Sequence, residues 1–326
     1  MKAVDPRFGI KRRIKMSKPK PIYRKTFGER VAKDWQLILL AIPGFVFYII
    51  FRYGPMYGLV IAFKDYGIYT GILQSPWAHP LFKHFNAFFN SGDFWLLFRN
   101  TALIGIYSLL WGFPVPIIFA MLLNEVRHLK FKKFVQTSTY LPSFLSIVVI
   151  CSMFTDMLSP SSGLINTIIA ALGGTKTYFL IKPEWFRTIY VGTGIWATFG
   201  YSAIIYLAAL GGVDPQLYEA AKIDGCGRIK SMWYVTLPGI LPTIATMFIL
   251  NSGHILNTGA DKVLLLYNPA TYSVADVFAT YVYRKGILET NYSYSTAVGL
   301  FNSLVGLLFV VMSNTFSKKF AETSLW

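Results

Sequence analysis

The side chains in this sequence with chemistry to offer fall into two sets. In the apolar stretch Ser231–Ala260, Asn251, His254 and Asn257 recur at i, i+3 and i+6, the spacing of one helix face. In Thr188–Val213, Thr198 and Tyr201 stand three apart, with Trp196 close by. Amides, hydroxyls and rings in this mixture suit a saccharide: polar groups take its hydroxyls and rings cover its C–H faces. The same groups could instead hydrogen-bond one helix to another, and the residues alone leave both readings open. His254, if protonated, favours an acidic sugar. The second set is a polar, glycine-punctuated turn around Glu219, lodged between two charge-free stretches.

Neither set offers catalysis. His79 and His84 are five apart with no cysteine or carboxylate pair beside them, so no metal site is expected. Asp156, Asp261 and Asp276 are scattered, where a membrane-embedded enzyme needs a cluster. The stretch "GGTKT" at Gly173–Thr177 lacks the earlier glycine of a phosphate loop. The chain is expected to hold no catalytic residue and no cofactor of its own.

What positions these side chains is a chain of 326 residues that is 54% hydrophobic and 14% charged, against about a quarter charged in a soluble domain. The charges are clustered and leave six uninterrupted runs: Trp35–Phe51, Asn100–Asn124, Phe134–Thr155, Thr188–Val213, Ser231–Ala260 and Thr290–Ser317. Each has 17 or more residues without Asp, Glu, Lys or Arg, near the roughly 20 that a helix needs to cross hydrocarbon. Backbone groups in lipid must be satisfied within their own segment, so an all-α membrane protein with six transmembrane helices follows. Three shorter runs, Tyr53–Phe63, Met157–Thr175 and Val263–Ala275, are broken by Gly, Pro, Ser or Asn and read as re-entrant or interfacial. Pro114 and Pro116 predict a kink in the second span, and Pro142 one in the third.

Lysine and arginine set the orientation. Residues 1–34 hold twelve, the loop after Asn124 four, the polar turn three and the C-terminal tail two, against eight in the connections on the other side. Positive loops stay cytoplasmic, so both termini and the turn are expected inside. The basic tail can lie on anionic lipid at about 1 kcal/mol per basic residue. That accounts for much of the +16 net charge with no nucleic-acid partner. The external stretch 52–98 is aromatic, with Tyr66, Tyr69, Trp77, Phe82, Phe85, Phe88, Phe89, Phe94 and Trp95, and reads as an interfacial belt or a docking surface. Cys151 in the third span and Cys226 in the turn are expected to be free thiols.

In the turn itself, Asp214 is a good N-cap and Pro215 suits the first helical position. Gly225 is placed to end that helix in a left-handed cap. A second short helix, about Arg228 to Thr236, should lead to Leu237-Pro238 and a fresh helix start. Ala220 and Ala221 are small enough for another backbone to come close, and Glu219 offers a charge to a basic groove. A surface helix that merely connects two spans has the same local features.

The spacing of Glu219-Ala220-Ala221, Asp224-Gly225 and Leu237-Pro238 resembles the signature of bacterial binding-protein-dependent ABC importers. Cys226 stands where that family usually has alanine, and Val235 where it has isoleucine. The likeness covers roughly residues 95–315, and the layout is similar to the permease of a type I sugar importer. The segments "KDWQLILLAIPGF" and "FRYGPMYGLVIAFKDY" look closest to permeases of complex-oligosaccharide systems such as the alginate importer.

The resemblance implies that Leu217, Glu219, Ala220, Ala221, Asp224 and Gly225 form a coupling helix seated in a cleft of a cytoplasmic ATPase. It places pore positions at Gly194, Thr198, Tyr201, His254 and Asn257, beside the Trp196 and Asn251 singled out above. It implies a second homologous permease, two ATP-binding subunits that carry ATP and Mg, an extracytoplasmic solute-binding protein and an oligosaccharide cargo in the bacterial inner membrane. The expected organisation is a basic tail (1–34), a first span with an aromatic external segment (35–98), a five-span permease core (99–317) containing the coupling loop (214–238), and a short tail (318–326). The competing class, a self-sufficient secondary transporter or channel, would place charged groups at mid-depth for ion coupling, and the six charge-free runs contain none.

Overall fold

The computed structural model describes residues 27–253, 255–256 and 258–320. Among the described residues the protein is helical, with one isolated β-bridge between Lys64 and Trp77. The chain divides into two units, Met1–Tyr57 and Gly58–Trp326.

In the first unit, helix α1 (Phe27–Tyr48) contains Pro43 and leaves helical geometry at Asp34. A π turn, Ile49–Tyr53, and a helical turn, Gly54–Met56, follow. The apolar residues from Trp35 to Phe51 fall on every side of the helix, the pattern of a segment surrounded by lipid or protein. The run Tyr53–Phe63, expected as a separate interfacial piece, instead prolongs the helical stretch, so that Lys33–Phe63 counts as one candidate span. The reason is local: Pro55 sits in the first turn of its helical segment, where a missing N–H breaks nothing.

The second unit is built from α2 (Lys83–Phe89), α3 (Asp93–Gly112), α4 (Pro114–Asn124), α5 (Leu129–Tyr140), α6 (Ile147–Met157) and α7 (Leu164–Ala171). It continues with α8 (Pro183–Leu210), α9 (Pro215–Ile223), α10 (Leu237–Ser252), α11 (Ala260–Leu266), α12 (Phe278–Tyr283) and α13 (Tyr292–Phe320). Five helical runs among the described residues are long and apolar enough to cross a membrane, and α5 with α6 makes a sixth if that bent pair is one span. The prolines explain the difference between the second and third runs. At Phe113 the helix passes into Pro114 at its first position, and Asp93–Asn124 remains one run. At Pro142 the chain tightens into a 3₁₀ turn, Leu141–Phe144, then goes extended at Leu145 and Ser146. The Ser146 hydroxyl accepts from the Val149 N–H at 3.3 Å and starts α6 afresh. The two halves meet at 102°, so Phe134–Thr155 is a broken element and not a straight helix.

Helix α8 is the axis of the second unit. It packs on α3, α4, α5, α10 and α11. One core cluster joins Ile104, Cys151, Tyr190, Val191 and Val263, drawing α11 down onto α3, α6 and α8. Another joins Ile117, Ala120, Ala203, Tyr206 and Ile240 across α4, α8 and α10. The aromatics of residues 52–98 meet neither expectation in full. Phe88 is wholly buried, packed with Leu97, Phe278, Tyr281 and Val298, and Phe85 closes a smaller cluster with Ala62 and Ala297. Tyr69, Trp77, Phe82, Phe89 and Trp95 remain exposed. Phe85 and Phe88 of that segment are therefore the core of a cap on α3 and α13. Both cysteines are free thiols, Cys151 buried and Cys226 partly so.

Candidate functional site

Two places gather the chemistry. The first is the turn between α8 and α10. The Asp214 carboxylate accepts from the Gln216 N–H at 2.9 Å, and Pro215 follows at the first helical position, so α9 starts where its residues require. It ends on Gly225, whose φ of +73° is open to glycine and strained for other residues. The Cys226 N–H reaches the Ala221 carbonyl at 2.8 Å and the Gly225 N–H reaches that of Lys222 at 3.1 Å, the paired bonds of a Schellman cap. One turn of helix, Arg228–Ser231, and a π turn, Met232–Thr236, then run straight into α10, so Leu237-Pro238 continues a helix and does not open a new one. The Tyr218 hydroxyl donates to Thr236 Oγ1 at 3.2 Å and ties α9 to the π turn. Ala221 faces inward and is buried. Leu217, Glu219, Ala220, Asp224 and Gly225 are exposed, and so is Ile223 at 87%.

The second place is a hollow of about 350 Å³ beside α8. Gly105 and Ser108 of α3, Tyr190, Gly194, Thr198 and Ser202 of α8, Asn251 of α10, and Ile255, Thr258 and Lys262 line it. Of the residues singled out in the sequence, Gly194, Thr198 and Asn251 are in its wall. Trp196 is not; it packs against Phe154, ring centroids 5.4 Å apart. Tyr201 is 58% exposed on the same helix, outside the hollow. The single helix face expected for Asn251, His254 and Asn257 is not formed. Helix α10 ends at Ser252 with the Gly253 N–H on the Ile249 carbonyl, and residues 255, 256 and 258 are non-helical. His254 and Asn257 themselves lie outside the described residues.

The hollow contains groups that the charge-free runs did not reveal. Lys262 stands two residues beyond one of those runs and counted there among the external cations. Helix α11 folds back into the core and carries its ammonium to the Tyr190 carbonyl and over the Tyr190 ring, 4.2 Å from the centroid. A Cβ at Gly194 would stand 2.8 Å from that nitrogen, so the bare α-carbon makes its room. Gly105 allows an even closer approach: a Cβ there would lie 1.8 Å from the Ile255 carbonyl oxygen. The only sequence signal for this arrangement was the interruption of Val263–Ala275 by Asn and Pro, which marked a segment that does not span.

A wider, open hollow adjoins the first, lined by Tyr107, Trp111, Glu184, Arg187, Thr188, Val191, Gly192 and Ile195; Val191 and Ile195 belong to both. Beside it, Asn100 is fully buried and its amide donates to the carbonyls of Ser273 at 3.2 Å and Asp276 at 3.1 Å. Its oxygen then accepts from Arg187 at 3.3 Å and from Arg99 at 3.5 Å. Beyond the spans, the Asp276 carboxylate takes Arg284 at 2.6 Å and the Thr280 hydroxyl at 2.7 Å. Donating to the Asp276 carboxylate holds the Arg284 guanidinium above its usual range.

Apolar helices around a polar hollow, with non-helical backbone where it lines that hollow, define a membrane permease. The chain belongs to the family described as binding-protein-dependent transport system inner membrane component, which it matches over residues 112–322. Members are permease subunits of ABC transporters, which are non-catalytic; ATP is hydrolysed on separate subunits. The chain is 46% identical to the polygalacturonan/rhamnogalacturonan transport system permease protein YteP of Bacillus subtilis (strain 168), over 93% of this chain and 94% of that one. It is 44% identical to protein LplB of the same organism, over 90% and 92%. Among solved structures it resembles a chain of a bacterial alginate ABC transporter in complex with an alginate pentasaccharide-bound periplasmic protein. There the TM-score is 0.83 and the identity 39%, covering 92% of this chain and 100% of that one.

Proposed function

We propose that this chain is one permease of a heterodimeric, ATP-driven importer in the bacterial inner membrane, and that its cargo is an acidic oligosaccharide delivered by an extracytoplasmic solute-binding protein. The observation that carries the reading is the hollow on α8. Its volume of about 350 Å³ suits a sugar unit, and its wall supplies the hydroxyls of Ser108, Thr198 and Ser202 and the amide of Asn251. Thr198, Tyr201, Ser202 and Asn251 are also exposed, so one side of the path is unfinished in a single chain and a second, homologous permease completes it. His254 and Asn257 join this path by family likeness. Acidic cargo is supported by the relatives, whose names refer to polygalacturonan, rhamnogalacturonan and alginate.

Helix α9 is the lever. Glu219 pairs with a basic residue of an ATP-binding subunit, Leu217 and Ala220 lie on its cleft, buried Ala221 holds the helix against the permease, and Asp224-Gly225 give the bend that seats it. The twelve basic residues of 1–34 keep that end in the cytoplasm, and with it the coupling loop 214–238 and the tail 318–326.

The test is reconstitution of both permeases, the ATP-binding subunits and the binding protein in liposomes. ATP-dependent uptake of uronate oligosaccharides is expected, and Glu219→Ala should insert normally yet hydrolyse ATP without uptake. Gradient-driven flux through the purified chain alone, with no ATPase present, would overturn the reading in favour of a secondary transporter.

A further inference from the structure

Lys262 is a cation in the wrong place for a structural role alone. An ammonium has three donors, and among the described residues this one uses a single acceptor, the Tyr190 carbonyl, and joins no ion pair. Burying a charge without a counter-charge is costly, so such a group is retained where something supplies the missing partner. A second observation points the same way. Thr258 is 6% exposed, lines the same hollow, and its hydroxyl has no hydrogen-bond partner among the described residues.

Further out along α8, Arg187 repeats the pattern. Its Nη2 shares the Asn100 oxygen with Arg99, and among the described residues its buried Nε has no partner and neither arginine is in an ion pair. From Arg187 to Gly194, against which the Lys262 ammonium rests, is seven residues, a rise of about 10 Å along the helix. The two hollows meet at Val191 and Ile195 between them. Glu184 also lines the outer one and works against an anion there, so the inner position is the more selective.

We propose that Arg187 and then Lys262, assisted by the Thr258 hydroxyl, bind the carboxylates of the transported oligosaccharide in succession and make this permease selective for uronates. Arg187, in the wall of the outer hollow, offers its guanidinium to a carboxylate there. Lys262 takes the same group in the inner one, as a compact charge that holds without locking. The inference rests on the oligosaccharide reading above and assigns the residues that read the acid.

Calorimetry on the permease pair in nanodiscs, without the binding protein, tests it with trigalacturonate and its fully methyl-esterified form. The wild type should bind the acid roughly tenfold or more tightly than the ester. Lys262→Gln should lose that preference by weakening the acid alone, Lys262→Arg should keep it, and Arg187→Gln should narrow it by a smaller factor. A purely positional role for Lys262 would weaken acid and ester equally, and that result overturns the proposal. Equal affinity of the wild type for both probes overturns it while leaving the oligosaccharide reading intact; binding of neither overturns both. Should Lys262→Gln fail to assemble, Thr258→Val reads the same inner position: it should narrow the acid-over-ester ratio with ester affinity unchanged, and an unchanged ratio overturns the proposal.

Discussion

The turn at α9 and the hollow at α8 are built by opposite means. In the turn, the caps run between residues two to five apart, Gln216 to Asp214 and Cys226 to Ala221. Tyr218 to Thr236, eighteen apart, is its one long-range hydrogen bond among the described residues. In the hollow, Gly105 admits the backbone of Ile255, and Lys262 reaches back 72 residues to Tyr190. A locally closed structure survives small errors elsewhere and can be altered without unfolding the bundle. A structure closed by distant segments has no such independence. Changes in the hollow should therefore cost stability first, and changes in the turn should cost coupling first.

The largest effect is expected at Gly105. A Cβ there would sit 1.8 Å from a carbonyl oxygen, so α3 and the segment after α10 must separate. Gly105→Val should destabilise by roughly 3 kcal/mol or more. Its apparent thermal midpoint in detergent, followed by tryptophan fluorescence, should fall well below that of the wild type. An unchanged midpoint would break the comparison, because the hollow would then tolerate local insertion as the turn does.

Gly225 is the counterpart. Among the described residues, no atom beyond the local backbone lies within 4 Å of a Cβ built there, and the penalty comes from a positive φ. Gly225→Val should cost about 1–2 kcal/mol of local strain, with little change in the midpoint. ATP hydrolysed per sugar imported should rise sharply because the bend is lost. Normal coupling in this variant would remove α9 from the lever role.

That contrast also explains what could be read in advance. Asp214, Pro215 and Gly225 each act within a few residues, so their types alone placed the start and end of α9. Pro142 likewise foretold a break, though the 102° angle depends on the Ser146 cap and on where α6 finds its partners. Lys262 was illegible for the same reason in reverse. A lysine after a charge-free run marks the end of a span, and only the return of α11 into the core turns it inward. Phe85 and Phe88 were indistinguishable from Phe82 and Phe89 because burial depends on α12 and α13, about two hundred residues on.

A smaller effect should come from Asp214→Ala, which removes a cap but no packing. It should cost about 1 kcal/mol, and Asp214→Asn should recover most of it. Hydrogen exchange of the first α9 amides reads this directly. Protection should fall there and not in α10. A drop that spreads into α10 would mean that the turn is less self-contained than its hydrogen bonds imply.

The smallest effect lies outside both regions, in the surface ion pair of Lys83 with Asp65 at 2.9 Å. The hydrogen bond from Lys83 holds the Asp65 carboxyl below the usual carboxylate range, with His84 adding to it. A carboxylate whose folded pKa is depressed contributes stability above its unfolded value of about 3.9 and loses it as pH falls through the folded one. Both side chains are more than a third exposed, so solvent screening limits the pair to at most about 1 kcal/mol. Lys83→Ala should therefore lower the midpoint slightly at pH 7, and the gap should close as pH falls below about 4. A gap that persisted in acid would show that Lys83 acts by packing its methylenes on the cap, which would tie this cap to the hollow's long-range construction.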